Sequence, residues 1–256
     1  MLYVSSSFVP TFPVEEADIC FIGIPFDSTA SAVGNQRFGP LHVRQALRNI
    51  HWNVPGRGNP LKRLKICDLG DVEVVPESLE ETSERVKDTI ESVKRINSDI
   101  FFLFIGGDHS ITLPIIRTLK PKSVVHLDAH ADMWGSNLSH SSWAMYAKKE
   151  GFDLHQFGVR AFSEKEKPLK GNLKKLKEPV YVTVDMDVFD PSFAPDAGLL
   201  EPNGLAPQDV FGILDKVFRK RVIGMDIVEI SSLQLNNPTA QLAARLILHV
   251  LSNLNG

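Results

Sequence analysis

The sequence predicts an α/β protein: a three-layer α/β/α sandwich with a central, mostly parallel sheet, formed as a single domain over residues 1–256. Three observations predict it. Seven short apolar runs lack the polar alternation of a half-exposed strand, as a sheet covered on both faces demands. Segments of helical period lie between many of them. No Gly/Ser-rich linker, internal repeat or low-complexity tract divides the chain.

The expected strands span 18–24, 64–69, 99–105, 123–127, 155–159, 180–184 and 221–227. Between 79 and 97, Val86, Ile90 and Val93 recur at helical spacing among charged residues, so a solvent-facing helix covers the sheet there. Pro207, followed by Val210, Ile213, Leu214, Val217 and Phe218, opens a second helix with proline in the first turn. Thr239 is the expected cap of a third, which runs through Leu242, Leu246 and Val250. The polar stretch 162–178 is read as a solvated helix or loop.

Composition narrows the function. The 256 residues carry 28 Lys+Arg against 31 Asp+Glu, a net charge of −3, which argues against a protein built to neutralise nucleic-acid phosphates. The longest apolar runs fall far short of the roughly 20 residues that span a bilayer. The first residues lack both a basic start and a sustained apolar segment, so no secretory signal and a cytoplasmic location are expected. Cys20 and Cys67 each sit inside an apolar run and are read as buried, reduced thiols.

The chemistry gathers at three strand ends. One run ends in Asp108 and His109, a second in Asp128, His130 and Asp132, and a third in Asp185, Asp187 and Asp190. Ligands of an open parallel sheet bind beyond the carboxyl ends of its strands, so these clusters can converge on one crevice. In an extended strand, residues i and i+2 share a face about 6.6 Å apart, which lets Asp128 with His130, or Asp185 with Asp187, serve neighbouring ions. Asp132 would then lie roughly 13 Å from Asp128, so the chain must curl after Asp128. His109, Asp128, His130, Asp132, Asp185 and Asp187 together offer two imidazoles and four carboxylates. Four negative charges balance two divalent cations, and the oxygen-rich set suits Mn(II). Such a pair generates a nucleophile from water, so the implied reaction is hydrolysis. His126 is read as a core histidine or a support behind Asp128, and Asp190 as a turn former. His42, His51, His155 and His249 stand apart from the clusters.

The motifs GGDHS (106–110), DAHAD (128–132), DMDVFDPSFAPDAGLLEPNGL (185–205) and DIVEI (226–230) resemble those of the ureohydrolases, the arginase and agmatinase family. Supporting matches extend over nearly the whole chain, through GIPFDSTASAVGNQRFGP, FGVRAFSEKE and TAQLAARLI. The resemblance implies the arginase/deacetylase fold and a binuclear manganese site, with two Mn2+ per subunit. By the same resemblance His109 and Asp132 ligate one ion and His130 and Asp187 the other, while Asp128 and Asp185 bridge both. It further implies that Glu229 holds the substrate guanidinium, that His140 shuttles protons and that Asp187 orients the attacking hydroxide. Trimers or hexamers are common in the family, so a homo-oligomer acting on a small guanidino compound is expected.

Departures from the family pattern fall on the substrate side. The loop between Asp132 and His140 is shorter than usual, and Ser141 and Ser142 follow His140. Asp196 and Asn203 replace customary glycines, and Ser231 and Ser232 follow Glu229. The stretches around His140 and FGVR look closer to agmatinases, so agmatine is the favoured substrate, cleaved to putrescine and urea. An arginase or another guanidino-acid ureohydrolase is the alternative, and a non-catalytic metal-binding scaffold is the alternative of another class.

Overall fold

A computed structural model describes residues 11–31 and 34–254. All seven apolar runs form strands: β1 (Ile19–Ile24), β2 (Ile66–Asp71), β3 (Phe101–Gly106), β4 (Ser123–Leu127), β5 (Asp153–Phe157), β6 (Val180–Asp185) and β7 (Val222–Val228). Every pairing among them is parallel, and the order across the sheet is β2-β1-β3-β7-β6-β4-β5. Six helices cover it: α1 (Gly39–Asn49), α2 (Leu79–Ile96), α3 (Thr112–Leu119), α4 (Trp143–Lys149), α5 (Pro207–Val217) and α6 (Pro238–Asn253).

Both faces of the sheet are buried, which explains the unbroken apolar runs. Along β3, Phe101, Leu103 and Ile105 join the core under α1, α5 and α6, while Phe102 and Phe104 join the core under α2, α3 and α4. A strand with a core on each side is therefore mostly apolar, and its few polar residues, such as His126, Thr183 and Asp226, are buried and hydrogen-bonded. Cys20 and Cys67 are register partners on β1 and β2, buried and unpaired as disulfide, and burial pushes both thiols up.

Several elements depart from the expectation or sharpen it. β5 begins and ends two residues early, because Gly158 leaves the strand with φ +95°. Helices α1, α3 and α4 lie outside the three helices expected; α3 and α4 are short, with eight and seven residues. Stretch 162–178 is loop with one 3-10 turn, Leu173–Lys175, and it is tied down where Leu169 N–H donates to Gln156 Oε1 at 2.7 Å. Thr239 does not cap α6: Asn237 does, accepting from Ala240 N–H at 2.7 Å. Thr239 lies inside the helix, and its hydroxyl is occupied by Asp196, accepting from the backbone N–H and donating to Oδ2.

The connectivity leaves a crevice. β4 follows β3 in sequence but lies three places away in the sheet, with β7 and β6 between them. The carboxyl ends of β3, β7, β6 and β4 are therefore four neighbours, and the loops leaving them diverge. Because Asn237 supplies the helix cap, Asn237→Ala should lower unfolding free energy by about 1 kcal/mol. Chemical denaturation checks this: the midpoint should fall with an unchanged m-value, and an unmoved midpoint would contradict the capping role.

Candidate metal centre and catalytic pocket

Short turns, not continued strands, bring the side chains together. After β3, Asp108 caps the 3-10 turn His109–Ile111 by accepting from Ser110 N–H at 3.0 Å. After β4, Asp128 Oδ1 accepts from His130 N–H at 2.5 Å. After β6, Asp185 Oδ1 accepts from Asp187 N–H at 2.9 Å. The i/i+2 spacing of an extended strand is thus replaced by side-chain-closed turns, which pull each pair inward. The expected curl after Asp128 is present, and Asp132 itself takes φ +52°.

The six side chains read as metal ligands meet at one place. His109 Nδ1 lies 3.1 Å from Asp128 Oδ2, 3.2 Å from Asp132 Oδ2 and 3.2 Å from Asp185 Oδ2. His130 Nδ1 lies 2.8 Å from Asp187 Oδ2 and 3.5 Å from Asp128 Oδ1. Asp128 thus turns one oxygen to each histidine and belongs to both groups of converging donor atoms, one around His109 and one around His130.

Hydrogen bonds around His109 indicate what the cluster is built to hold. Thr183 donates its hydroxyl proton to Asp226 Oδ1, so at 2.8 Å it accepts from His109 Nε2–H. Its buried Nδ1 faces three carboxylate oxygens without a well-formed hydrogen bond. Against the effect of burial, those carboxylates raise the imidazole well above its ordinary value, so the site draws positive charge, as a proton or as a metal ion. Burial and the neighbouring Asp187 and Asp128 push Asp185 well above the ordinary carboxylate range. Acceptors facing acceptors in a dry site require a cation among them, and two nitrogens with four carboxylates suit a pair of divalent metal ions.

The ligands are aimed from behind. Asp132 Oδ2 accepts from Trp143 Nε1–H at 2.7 Å, and Asp187 Oδ1 accepts from Ala129 N–H at 2.9 Å. Gln156 spends its carbonyl on Leu169 N–H and its amide on Ala131 O and His126 Nδ1. His126 Nδ1 is therefore an acceptor, and its protonated Nε2 donates to Asp128 Oδ2 at 2.7 Å. That is the supporting role expected of His126. Asp190 also acts as expected, accepting from Ser192 and Gly204, and these hydrogen bonds lower it to about 2.

Glu229 closes one side of the pocket. At the end of β7 it takes φ +65°, and its Oε1 accepts from His109 N–H at 2.9 Å. Its Oε2 accepts from Gln36 Nε2–H at 3.0 Å. Burial, with Asp108 nearby, pushes Glu229 up to about 8. Gly198 leaves room for this carboxylate, since a Cβ there would stand 2.5 Å from Oε2. His140 lines the same cavity of about 340 Å³. Its backbone N–H donates to Thr29 Oγ1 at 2.9 Å, and its Nε2 lies 2.9 Å from Ser31 Oγ. Thr29 is in turn anchored by Asp108 Oδ2, which accepts its N–H and its hydroxyl.

Local contacts also account for the departures from the family pattern. Ser142 closes the short loop before α4, accepting from Ser139 N–H and donating to Asn137 O. Asp196 accepts from Ser232 Oγ and, through its carbonyl, from Ser231 N–H, so two unusual segments bind each other. Asn203 takes φ +63°, a conformation that asparagine tolerates better than other non-glycine residues. The supporting residues Thr29, Gln36 and Gln156 carry no spacing signal in one sequence, nor does Arg160, whose Nη2 donates to the Asp187 carbonyl at 2.7 Å. His126→Phe should leave the fold intact and weaken metal binding 10- to 100-fold. Metal titration with circular dichroism as control tests this, and wild-type affinity would show that Asp128 needs no such donor.

Comparison with known proteins agrees with this arrangement. A model of the arginase family matches residues 17–174 and 167–252. The agmatinase of Pyrococcus horikoshii is 35% identical over 98% of both chains. The N(1)-aminopropylagmatine ureohydrolase of Thermococcus kodakarensis is 32% identical over 97% of this chain and 96% of its own. Among solved structures, the agmatine ureohydrolase of Thermoplasma volcanium superposes with a TM-score of 0.86 at 29% identity, covering 98% of this chain and 95% of that one. The extent of the family match and the identity to these relatives lead to one conclusion: this chain belongs to the arginase family.

Proposed function

We propose that the protein is a binuclear manganese ureohydrolase that converts agmatine to putrescine and urea. The observation that carries the reading is a buried, doubly anchored carboxylate, Glu229, lining the same cavity as the paired His/Asp clusters. Relatives with agmatinase and aminopropylagmatine ureohydrolase activities by name support a guanidino substrate. The cavity wall includes no Lys or Arg among the described residues, so an amino-acid carboxylate would be buried unpaired.

In this reading His109 and Asp132 would hold one ion and His130 and Asp187 the other, with Asp128 and Asp185 as ligands available to both. When bound, the ions make water nucleophilic at neutral pH and stabilise charge that develops in the transition state. Glu229 accepts N–H groups of the guanidinium and orients its carbon, while His109 N–H and Gln36 keep the carboxylate from rotating. Asp187 orients the attacking water. The C–N bond to the amine breaks only if the departing nitrogen gains a proton, because an amide anion is too basic to leave. His140 supplies that proton, held at the cavity wall by Thr29 and Ser31.

No described helix is long and apolar enough to cross a membrane, and we place the enzyme in the cytoplasm. A homo-oligomer, trimer or hexamer, is the expected assembly.

Urea release by manganese-loaded protein against agmatine, arginine and 4-guanidinobutyrate tests the assignment. Agmatine should be the preferred substrate, with chelated protein inactive; urea from none of the three, with two metals bound, would overturn it. Asp128→Ala should lose both ions, and two manganese per chain with normal turnover would contradict the shared-ligand role. Glu229→Gln should keep its metals but lose at least tenfold in kcat/KM, whereas unchanged kcat/KM would remove Glu229 from guanidinium binding.

A further inference from the structure

Two more carboxylates line the cavity, Glu166 and Glu201, together with the exposed rings of Trp134 and Phe162. The two carboxylates are differently committed. Glu166 accepts from Met133 N–H through Oε1 at 3.2 Å and from Ser163 N–H through Oε2 at 2.7 Å, so it fastens two loops together. Among the described residues, the Glu201 carboxylate accepts no hydrogen bond. It comes within 3.9 Å of His130 Nε2, too far for one. That histidine nitrogen is itself buried and unpartnered.

The backbone of Glu201 is nevertheless held firmly. Arg160 Nη2 donates to the Glu201 carbonyl at 2.7 Å and to the Asp187 carbonyl at 2.7 Å, while its Nε donates to Pro202 O at 3.1 Å. One guanidinium thus ties the main chain at Glu201 to that of a residue in the metal cluster. A carboxylate with an anchored backbone and no hydrogen bond, facing a cavity with only His130 Nε2 near it at 3.9 Å, is organised for a cation that arrives from outside.

We infer that Glu201 determines specificity by reading the far end of the substrate, favouring a tail that ends in an ammonium group over a neutral or carboxylate tail. This rests on the ureohydrolase reading of the same site. A guanidinium held at Glu229 leaves its alkyl chain to run past His130, whose ring separates the cluster-facing Nδ1 from the Nε2 that faces Glu201. An ammonium there forms a charge-assisted hydrogen bond, and the exposed rings of Trp134 and Phe162 cover the methylenes. A carboxylate would meet like charge. Lys165, which could have offset that repulsion, lies over the Trp134 ring with Nζ 5.2 Å from its centroid.

The test compares agmatine with pentylguanidine, in which a methyl group replaces the ammonium. Glu201→Gln should lower kcat/KM for agmatine about five- to tenfold, mainly through KM, and change pentylguanidine far less, with metal content preserved. Glu201→Lys should raise 4-guanidinobutyrate relative to agmatine. Equal losses on agmatine and pentylguanidine, or loss of metal from Glu201→Gln, would overturn the inference and make Glu201 a support for His130. If wild type releases urea from no guanidino compound, the ureohydrolase reading fails. Calorimetric binding of 1,4-diaminobutane against pentylamine to the metal-loaded protein then decides the tail inference separately. A diamine preference lost in Glu201→Gln supports it, and equal affinities overturn it.

Discussion

Carboxylates packed around buried histidine nitrogens are the constraint on which the rest of the structure depends. Asp128, Asp132 and Asp185 turn oxygens toward His109, and Asp187 turns one toward His130, in a region where water contributes little screening. Such an arrangement is unfavourable unless positive charge is introduced, so what a metal-binding site gains in affinity it loses in stability when stripped. The surroundings therefore have to supply rigidity. Strand ends do this well, because β3, β7, β6 and β4 are neighbours paired in parallel and buried on both faces.

Rigidity alone would not set the ligand protonation states. Two hydrogen-bond chains do so, and both begin far from the substrate. Asp226 takes the Thr183 proton, which leaves Thr183 to accept from His109 and frees Nδ1. Gln156, its amide pinned by Leu169 and Ala131, makes His126 donate to Asp128. Asp226 sits fully buried without a cationic partner, and Thr112, Tyr181 and Thr183 satisfy it with hydroxyl groups. Its burial is thereby compensated by donors that have no proton to lose near neutrality.

What was legible in the sequence follows the range of the interactions. The strands are legible because two-sided burial imposes a local rule, a mostly apolar run without regular polar alternation. The candidate metal ligands are legible because each strand delivers its His and Asp residues within five positions, as in DAHAD. Helix α3 is not, since its eight residues, with a proline at the third position, are too few to establish a helical period against the apolar runs around it. The cap of α6 was misassigned to Thr239 because threonine and asparagine are both competent caps, and only the partner Asp196 decides between them. Gln36, Thr29 and Arg160 act across 193, 79 and up to 42 positions of sequence, distances at which chemical type alone carries no pairing information.

This division has a consequence for how the site can change. Apart from Asp132, which Trp143 holds, the candidate metal ligands stand at strand ends and in turns closed by neighbouring carboxylates, so their geometry depends little on the surrounding loops. Substrate-side residues stand on loops held by single fasteners: Asp108 for the segment bearing Thr29 and, through it, His140; Glu166 for the loops at Met133 and Ser163; Arg160 for the segment bearing Glu201. Arg160 is the exception that joins the two systems, because the same guanidinium holds the carbonyls of Asp187 and Glu201. A side-chain change at Glu201 leaves that backbone clamp in place. Substrate preference can therefore shift at this position while the hydrolytic machinery keeps its geometry, whereas a change at Arg160 disturbs both together.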